Sequence, residues 1–222
     1  MTEPSPLAID LDGVSTVTSF STPSVVGTTR TLAAAAVTRS GTSWVFDSWF
    51  DGTTEQSRTF NVAPTSQTFS ALFRTAGGSV GTGTGLKATY FADTGLTQPV
   101  LVRVDRSPFF NWPASPAPGV PKDDFAVRWV GDLHAQFSGT YTFAAPIHRD
   151  ETLVVKVGGQ VVVDASDSHG TVSGTLSLVA GQRYPIQLVY TDRSGGAAME
   201  LRYGRSSSTM APLPGSQLYP AP

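Results

Sequence analysis

Apolar and polar residues alternate along the chain with the two-residue period of β-strands, most densely between residues 125 and 164. The alternation runs through residues 125–129, 141–143, 153–157 and 161–163. Because successive side chains of a strand point to opposite faces, each run presents one apolar face to a core. Gly158-Gly159 separates the last two runs, and two glycines accept the positive φ angles of a tight hairpin turn. This stretch therefore predicts three or four antiparallel strands.

A loop interrupts this pattern between residues 144 and 151. Pro146 has no backbone N–H to give to a neighbouring strand, so the strand that contains Phe143 is expected to end before it. The loop closes on two adjacent acids, Asp150 and Glu151. Because binding residues are often carried by loops on a rigid scaffold, this loop is the first candidate for a site.

Shorter alternating runs extend the β pattern to the rest of the chain: residues 9–11, 44–46, 60–62, 69–73, 86–90, 184–190 and 199–203. A tight turn is predicted at Asp51-Gly52. Short strands separated by turn residues are typical of sandwiches, and no segment shows a convincing helical period. The predicted fold class is all-β, with two β-sandwich domains.

The boundary between the two domains is predicted at a glycine-rich segment, residues 76–84. It lacks the GxGxxG spacing and the Lys-Ser/Thr ending of phosphate-binding loops, so its composition favours a flexible linker. The predicted organisation is a first domain at 1–75, the linker at 76–84 and a second domain at 85–222.

Composition narrows the function classes. The chain has 222 residues, no cysteine and only 14% charged residues, with a formal net charge of −2. Disulfides and thiolate chemistry are therefore excluded, and the absence of a basic stripe argues against nucleic-acid binding. The low charge, with 22 glycines and 16 prolines, suits an extracellular β-rich protein.

No apolar run reaches the ~20 residues of a membrane helix, so no insertion into a membrane is expected. Residues 32–37 form the longest small apolar run near the N-terminus, and they are too short and too late for a signal peptide. The opening Met-Thr-Glu-Pro-Ser-Pro leads directly into a strand. We therefore expect part of a longer multidomain protein that is extracellular or on the cell surface, with the signal peptide outside this sequence.

The second domain carries a series of short motifs: Gly85-Leu-Lys-Ala-Thr-Tyr-Phe91, Val127-Arg-Trp-Val-Gly131, Gly139-Thr-Tyr-Thr-Phe143, Val157-Gly-Gly-Gln-Val-Val-Val-Asp164, Leu176-Ser-Leu-Val-Ala-Gly-Gln-Arg-Tyr184, Gly196-Ala-Ala-Met-Glu-Leu201 and Leu218-Tyr-Pro220. In this order they resemble the N-terminal lectin-like β-sandwich of anthrax protective antigen, over residues 85–220. The same module occurs in yeast flocculins and as an insertion in β-glucosidases. The resemblance implies a jelly-roll, lectin-like sandwich.

The first domain resembles a different module. Val26-Gly27, Trp44-Val-Phe-Asp-Ser-Trp-Phe-Asp-Gly52 and Thr68-Phe-Ser-Ala-Leu-Phe73 are similar to the immunoglobulin-like module of secreted bacterial enzymes. That module is usually a spacer. The resemblance therefore implies an immunoglobulin-like sandwich that serves as a spacer.

Carbohydrate recognition is the function that the second resemblance implies. In flocculin-type members, two adjacent aspartates bind calcium, and the calcium binds sugar hydroxyls. The matching positions here are Asp150 and Glu151, the expected metal ligands, with Asp192 as the candidate from a later loop. Calcium prefers hard oxygen ligands, which fits carboxylates gathered on loops. Glu151 departs from the pattern because its side chain is one methylene longer than aspartate.

Asp150 and Asp192 are also candidates for contacts with the sugar, together with four other residues. His148 and Arg149 lie in the same loop as Asp150, and Asp167 lies in the loop that follows residue 164. Trp112 is the best aromatic candidate for stacking on a sugar ring, although packing in the core is the alternative. The adjacent pair Asp123-Asp124 is interpreted as a solvated entry to a strand.

We expect a non-catalytic carbohydrate-binding or adhesion module with a glycan or polysaccharide as its partner and calcium as its cofactor. No GxSxG elbow or HExxH motif is present, although a glycosidase acid pair remains open because its acids need no fixed spacing. The alternatives are a ligand-free spacer or protein-interaction domain accessory to an extracellular enzyme, and a part of an enzyme that shapes a neighbouring active site.

Overall fold

The computed structural model describes residues 2–3, 7–16, 20–39, 41–49, 51, 53–206 and 210–222. They form two compact units, Met1–Ala76 and Gly77–Pro222. Within the described part of the chain the regular structure is strand, apart from one 3₁₀ turn at Gly215–Gln217. The all-β prediction is therefore confirmed. In the predicted turn at Asp51-Gly52, Gly52 lies outside the described residues.

The first unit contains two four-stranded sheets, ordered β1-β8-β6-β5 and β3-β2-β4-β7. Buried side chains come from both sheets, among them Trp44, Trp49 and Phe73 from the first and Ile9 and Leu32 from the second. Such two-sided burial is what a sandwich requires. The strands are β1 (Thr2–Glu3), β2 (Ile9–Leu11), β3 (Val14–Thr16), β4 (Thr29–Ala33), β5 (Val37–Arg39), β6 (Thr42–Trp49), β7 (Ser57–Asn61) and β8 (Ala71–Thr75).

The second unit contains three sheets. The largest has the order β10-β9-β12-β17-β14-β15, with β21 paired to β12, and the others are β16-β13-β19-β20 and β11-β18. The strands are β9 (Leu86–Phe91), β10 (Pro99–Asp105), β11 (Phe109–Trp112), β12 (Phe125–His134), β13 (Gly139–Ile147), β14 (Glu151–Val157), β15 (Gln160–Asp164), β16 (Gly170–Leu178), β17 (Arg183–Asp192), β18 (Ala197–Glu200), β19 (Arg202–Gly204), β20 (Ala211–Pro212) and β21 (Leu218–Pro220).

One aromatic and aliphatic core fills the second unit. Alternate residues of β12, β14 and β17 are almost fully buried in it, and β13 contributes from the smaller sheet. Burial of this many apolar side chains is the main stabilising contribution to such a domain. Its largest fully buried members are Trp129, Tyr90, Tyr190, Phe125, Phe143, Leu86, Leu133 and Leu153. The alternation in the sequence therefore corresponds to the core-facing side of this sheet.

Of two predictions for the 125–164 stretch, one is confirmed and one is wrong. Gly158 and Gly159 have φ angles of 57° and 82°, which confirms the predicted hairpin turn. The predicted break at Pro146 is wrong, because β13 continues to Ile147 and Pro146 pairs with Thr171 of β16. On its other side, β13 pairs with β19 only at residues 142–144. A proline nitrogen is tolerated where no ladder bond is needed.

The glycine-rich segment is not the free linker that its composition predicts. Ser79 donates its N–H to the Gln136 carbonyl at 2.7 Å, and Gly83 donates to the Ser216 carbonyl at 2.9 Å. A Cβ atom on Gly83 would overlap the carbonyl oxygen of Leu218. Glycine is therefore needed for a close backbone approach, and residues 77–84 belong to the second unit.

No helix in the described residues has the length and apolar character needed to cross a membrane.

Candidate functional site

Strand register gathers acidic residues at one end of the large sheet. Asp192, the last residue of β17, pairs with Phe125 of β12 on one side and with Glu151 of β14 on the other. Asp124 and Asp150 each stand one residue before these partners. Since neighbouring strands lie about 4.8 Å apart, acids that are distant in sequence become close in space. We call Asp123, Asp124, Asp150 and Asp192 the aspartate cluster.

Two further loops reach the same end. Ala165 donates its N–H to the Leu153 carbonyl at 2.8 Å, and Gly170 pairs with Ile147, so the 165–169 loop lies beside the 148–150 loop. The loop after β17 is fixed by the Arg193 N–H, which donates to the Asp150 carbonyl at 3.0 Å. Three predicted loops, together with residues 121–124, thus surround one position on the surface.

Asp192 is the most unusual residue of the site. Its side chain is 0% exposed, and neither carboxylate oxygen has a hydrogen-bond partner. Burial, followed by the negative charges of Glu151, Asp123, Asp150 and Asp124, raises the pKa of Asp192 to about 6. A buried charge without a partner is costly, so this carboxylate needs either a proton or a cation.

A second orphan oxygen lies next to it in the cluster. Oδ1 of Asp123 is buried and has no partner, while Asp124 and Asp150 are exposed. Asp192 and Asp123 are the only carboxylates with buried unpartnered oxygens in the described part of the chain. The interpretation of Asp123-Asp124 as a merely solvated strand entry is therefore wrong for Asp123.

Glu151 behaves differently from the aspartates. It is 2% exposed, and its Oε1 accepts hydrogen bonds from the Tyr190 hydroxyl at 2.9 Å and the Ala198 N–H at 2.8 Å. Its Oε2 accepts from the His148 N–H at 2.9 Å and contacts His148 Nδ1 at 3.1 Å. Burial and the charge of Glu151 raise the pKa of the Tyr190 hydroxyl, which keeps it a donor. Both oxygens of Glu151 are engaged within the protein, and the role of Glu151 as a metal ligand stays a prediction.

Trp112 lies in the core and not on the surface. It is 8% exposed, and its ring stacks on Phe110 at 4.9 Å and meets the ring of Phe125 edge-on at 5.7 Å. The Tyr90 ring lies 6.4 Å from it. A sugar would need an open aromatic face, so the predicted stacking role of Trp112 is wrong.

The other predicted contact residues are accessible. His148 is exposed, with 66% of its side-chain surface open to solvent, and Arg149 and Asp167 are exposed as well. The segments 121–124, 148–151, 165–169 and 193–196 contain no Phe, Tyr or Trp. The site therefore offers charged and polar groups without an aromatic platform.

The carboxylate oxygens of the aspartate cluster are of the type that a calcium ion prefers as ligands. Calcium takes six to eight oxygen ligands, and carboxylates on loops are common among them. Within the described residues no three acids or histidines already converge on one point. A calcium ion there would contact the buried Asp192 first, and the exposed Asp124 and Asp150 would have to turn towards it.

Sequence reasoning assigned Asp150 and Asp192 to one site but left Asp123 and Asp124 outside it. The signal that would have found Asp123 and Asp124 was their place directly before a strand that neighbours β17. That neighbour relation depends on strand order, which a single sequence does not supply.

Comparisons with known proteins give a family and several relatives. The PA14 domain family matches residues 83–212. The anti-sigma-I factor RsgI3 of Acetivibrio thermocellus is 31% identical over 144 residues, which are 64% of this chain and 22% of that protein. The chain thus spans only about a fifth of this curated relative.

Two solved structures also resemble this chain. An anti-sigma factor domain-containing protein superposes with a TM-score of 0.58 at 29% identity, covering 62% of this chain and 49% of that one. A second such protein, from Clostridium clariflavum, superposes with a TM-score of 0.59 at 26% identity, covering 74% and 60%.

Proposed function

Since this chain belongs to the PA14 domain family through residues 83–212, we propose that it is a non-catalytic carbohydrate-binding module of a secreted or cell-surface bacterial protein. One observation carries the proposal most directly. The structure holds a fully buried, unpartnered carboxylate, Asp192, among further acids at the loop end of the sandwich. Loops on a rigid β-scaffold are the usual place for recognition.

Calcium is the cofactor that this donor set favours. Asp192 and Asp150 would hold it, since Asp192 has orphan oxygens and Asp150 stands one residue before Glu151, which pairs with Asp192. When bound, calcium supplies positive charge and open coordination positions that sugar hydroxyls can occupy. His148, Arg149 and Asp167 surround this point as exposed hydrogen-bonding groups that orient the sugar.

The burial of two acids at this end supports binding rather than catalysis by Asp192 or Glu151. A general acid or a nucleophile must reach the bond that it cleaves. Asp192 is 0% exposed, and the carboxylate of Glu151 is held by four internal contacts. Neither acid is placed to touch a glycosidic bond.

A glycan array tests this function. The full chain is applied with calcium and, separately, with EDTA, and we expect binding to a limited set of glycans that EDTA abolishes. The matched control is Asp132→Asn, since Asp132 lies on β12, pairs with Pro185 away from Asp192, and is not among the charges that act on Asp192. Absence of binding to every glycan, while the chain remains folded and calcium is present, would favour the ligand-free spacer.

A second candidate is ligand recognition within a regulatory protein. It is favoured by the 31% identity to the anti-sigma-I factor RsgI3. Replacing the aligned 144 residues of that protein with this chain would test it. A glycan-dependent change in anti-sigma activity of the hybrid is expected, and an activity that no glycan changes would argue against this candidate.

A further inference from the structure

We propose that the first unit is more than a spacer and holds a binding cleft for an uncharged aromatic molecule. The cleft has a volume of about 880 Å³, and small-molecule sites in proteins occupy about 300–1,000 Å³. It lies over the inner face of the sheet β3-β2-β4-β7. The proposal is independent of the glycan and calcium chemistry of the second unit.

The floor of the cleft is apolar because strand register places aliphatic side chains side by side. Leu11 of β2 pairs with Leu32 of β4, and both are buried. Ile9, two residues before Leu11, lies on the same face of β2 and is buried as well. A polar group placed against this floor would lose its hydrogen bonds to water without gaining a partner. The floor therefore favours a ligand with an apolar body.

Phenylalanine rings line the cleft above this floor. Phe60 of β7 pairs with Arg30 of β4. The Phe60 ring lies 4.4 Å from the ring of Phe69, at an interplanar angle of 46°. Phe20 adds a third ring, and it is 39% exposed. Aromatic rings attract one another beyond the area that they bury, so these walls favour an aromatic ligand over an aliphatic one.

Two segments of the chain flank the cleft, residues 20–26 and residues 62–69. Backbone hydrogen bonds join them where the first segment ends and the second begins. The Gly27 N–H donates to the Val62 carbonyl, and the Val62 N–H donates to the Thr28 carbonyl, both at 2.9 Å. The cleft is therefore already formed without a ligand, as is usual for small-molecule sites.

The charge of the lining favours a neutral ligand. Among the described residues that line the cleft, Arg30 is the only one with a charged side chain. Its Nε donates to Asp12 Oδ2 at 2.7 Å, and its Nη1 donates to Ser24 Oγ at 2.6 Å. The guanidinium charge is thus balanced within the protein. Further hydroxyl groups line the cleft and can bond to a hydroxyl or carbonyl group of a ligand; they belong to Ser21, Thr22, Thr65, Ser66 and Thr68.

Other classes of ligand fit this lining less well. A sugar would set several hydroxyls against Ile9, Leu11 and Leu32, which offer them no partners. A fatty acid would bring a carboxylate, and the described lining holds no cation other than Arg30, which already pairs with Asp12. An uncharged aromatic molecule meets neither obstacle. Its binding would also remove the apolar surface of the open cleft from water.

Titration with N-phenyl-1-naphthylamine tests the cleft. This probe is uncharged and aromatic, and its fluorescence increases in apolar surroundings. For the full chain in EDTA, we expect a saturable increase that calcium does not change, because no acid is among the described residues of the lining. Phe20→Ser should bind the probe about threefold to tenfold more weakly through loss of a ring contact. The matched control Val25→Ser, which alters an exposed apolar residue of the same segment outside the lining, should bind as the wild type does.

A second variant fills the cleft instead of removing a contact. Ser66 is exposed and lines the cleft, so Ser66→Trp should place an indole there and prevent saturable binding of the probe. Thermal unfolding of each variant checks that it is folded at the temperature of the titration. Wild-type affinity in both Phe20→Ser and Ser66→Trp would overturn the proposal. A wild-type signal that appears only as the chain unfolds, or a probe displaced by neutral oligosaccharides, would overturn it as well.

Discussion

Replacing Asp192 with asparagine should stabilise the cation-free protein at neutral pH. The carboxylate is fully buried, has no partner and is surrounded by further acids, so its ionised form is unfavourable in the folded state. Asparagine has nearly the same shape and carries no charge. We therefore expect the unusual result that a substitution at a fully buried position raises the stability of the protein.

The size of the effect follows from the pKa. The pKa of Asp192 rises from 3.8 to about 6, and each unit corresponds to about 1.36 kcal/mol. Ionisation at pH 7.5 thus costs the folded state up to about 3 kcal/mol, and some of this remains in the variant because a buried amide also lacks partners. We expect a gain of about 2 kcal/mol, or an increase in Tm of roughly 4–8 °C.

The sign of the pH dependence follows as well. Because the folded-state pKa lies above the unfolded value, the folded protein binds more protons in this range. The contribution of protonated Asp192 to the unfolding free energy is fully present below about pH 4 and is lost as the pH rises through about 6. In Asp192→Asn this contribution disappears, so the two proteins should converge in stability towards pH 4 and separate towards pH 7.5.

The assay is thermal unfolding in EDTA and in calcium across pH 4–7.5. In calcium at about 100 times its Kd, the wild type should gain about 2.7 kcal/mol, while Asp192→Asn should gain little. The substitution should thus stabilise in EDTA and remove the response to calcium. A variant that is less stable than the wild type in EDTA at pH 7.5 would refute the reasoning, because it would show that Asp192 has favourable partners in the folded state.

Three further substitutions test other parts of the structure. Gly83→Ala should lower the unfolding free energy by about 2 kcal/mol, because the added Cβ would overlap with backbone. The control Gly196→Ala, which has nothing within 4 Å of the added Cβ, should change it by less than about 0.5 kcal/mol. Equal effects of the two substitutions in urea unfolding would contradict the close packing of residues 77–84. Trp112→Ala should cost about 3–5 kcal/mol by leaving a cavity and should leave the glycan affinity of the folded protein unchanged; lost affinity at unchanged stability would restore the stacking role. Tyr90→Phe removes the hydroxyl that donates to buried Asp105 at 2.6 Å and should cost about 1.5–3 kcal/mol; no loss in urea unfolding would show that this hydrogen bond does not contribute.

Local patterns in the sequence predicted local features of the fold. Alternation located the strands of the 125–164 stretch, and Gly158-Gly159 located a turn, because both depend on neighbouring residues only. The strand break predicted at Pro146 is wrong because a proline interrupts a strand only where a neighbouring strand needs an N–H at that position. The glycine-rich segment was misinterpreted for a related reason. Composition does not distinguish glycine needed for flexibility from glycine needed for a close backbone approach.

The site was only partly predictable from the sequence. Asp150 and Asp192 stood out as loop acids, but they are 42 positions apart, and only the register of β14 with β17 brings them together. The same holds for Asp123, which joins the site through β12. For Glu151, the residue type suggested a ligand, whereas its burial and four internal contacts were not predictable. Such partners come from tertiary packing, which one sequence does not reveal.

Calorimetric titration of an oligosaccharide from the glycan array tests the carbohydrate-binding function most directly. The sugar is titrated into the calcium-loaded wild type and into Asp192→Asn under the same conditions. The proposed function predicts saturable binding to the wild type and, since the site is built on Asp192, no measurable binding to the variant. Equal affinity for both proteins would contradict it, because recognition would then lie away from the aspartate cluster.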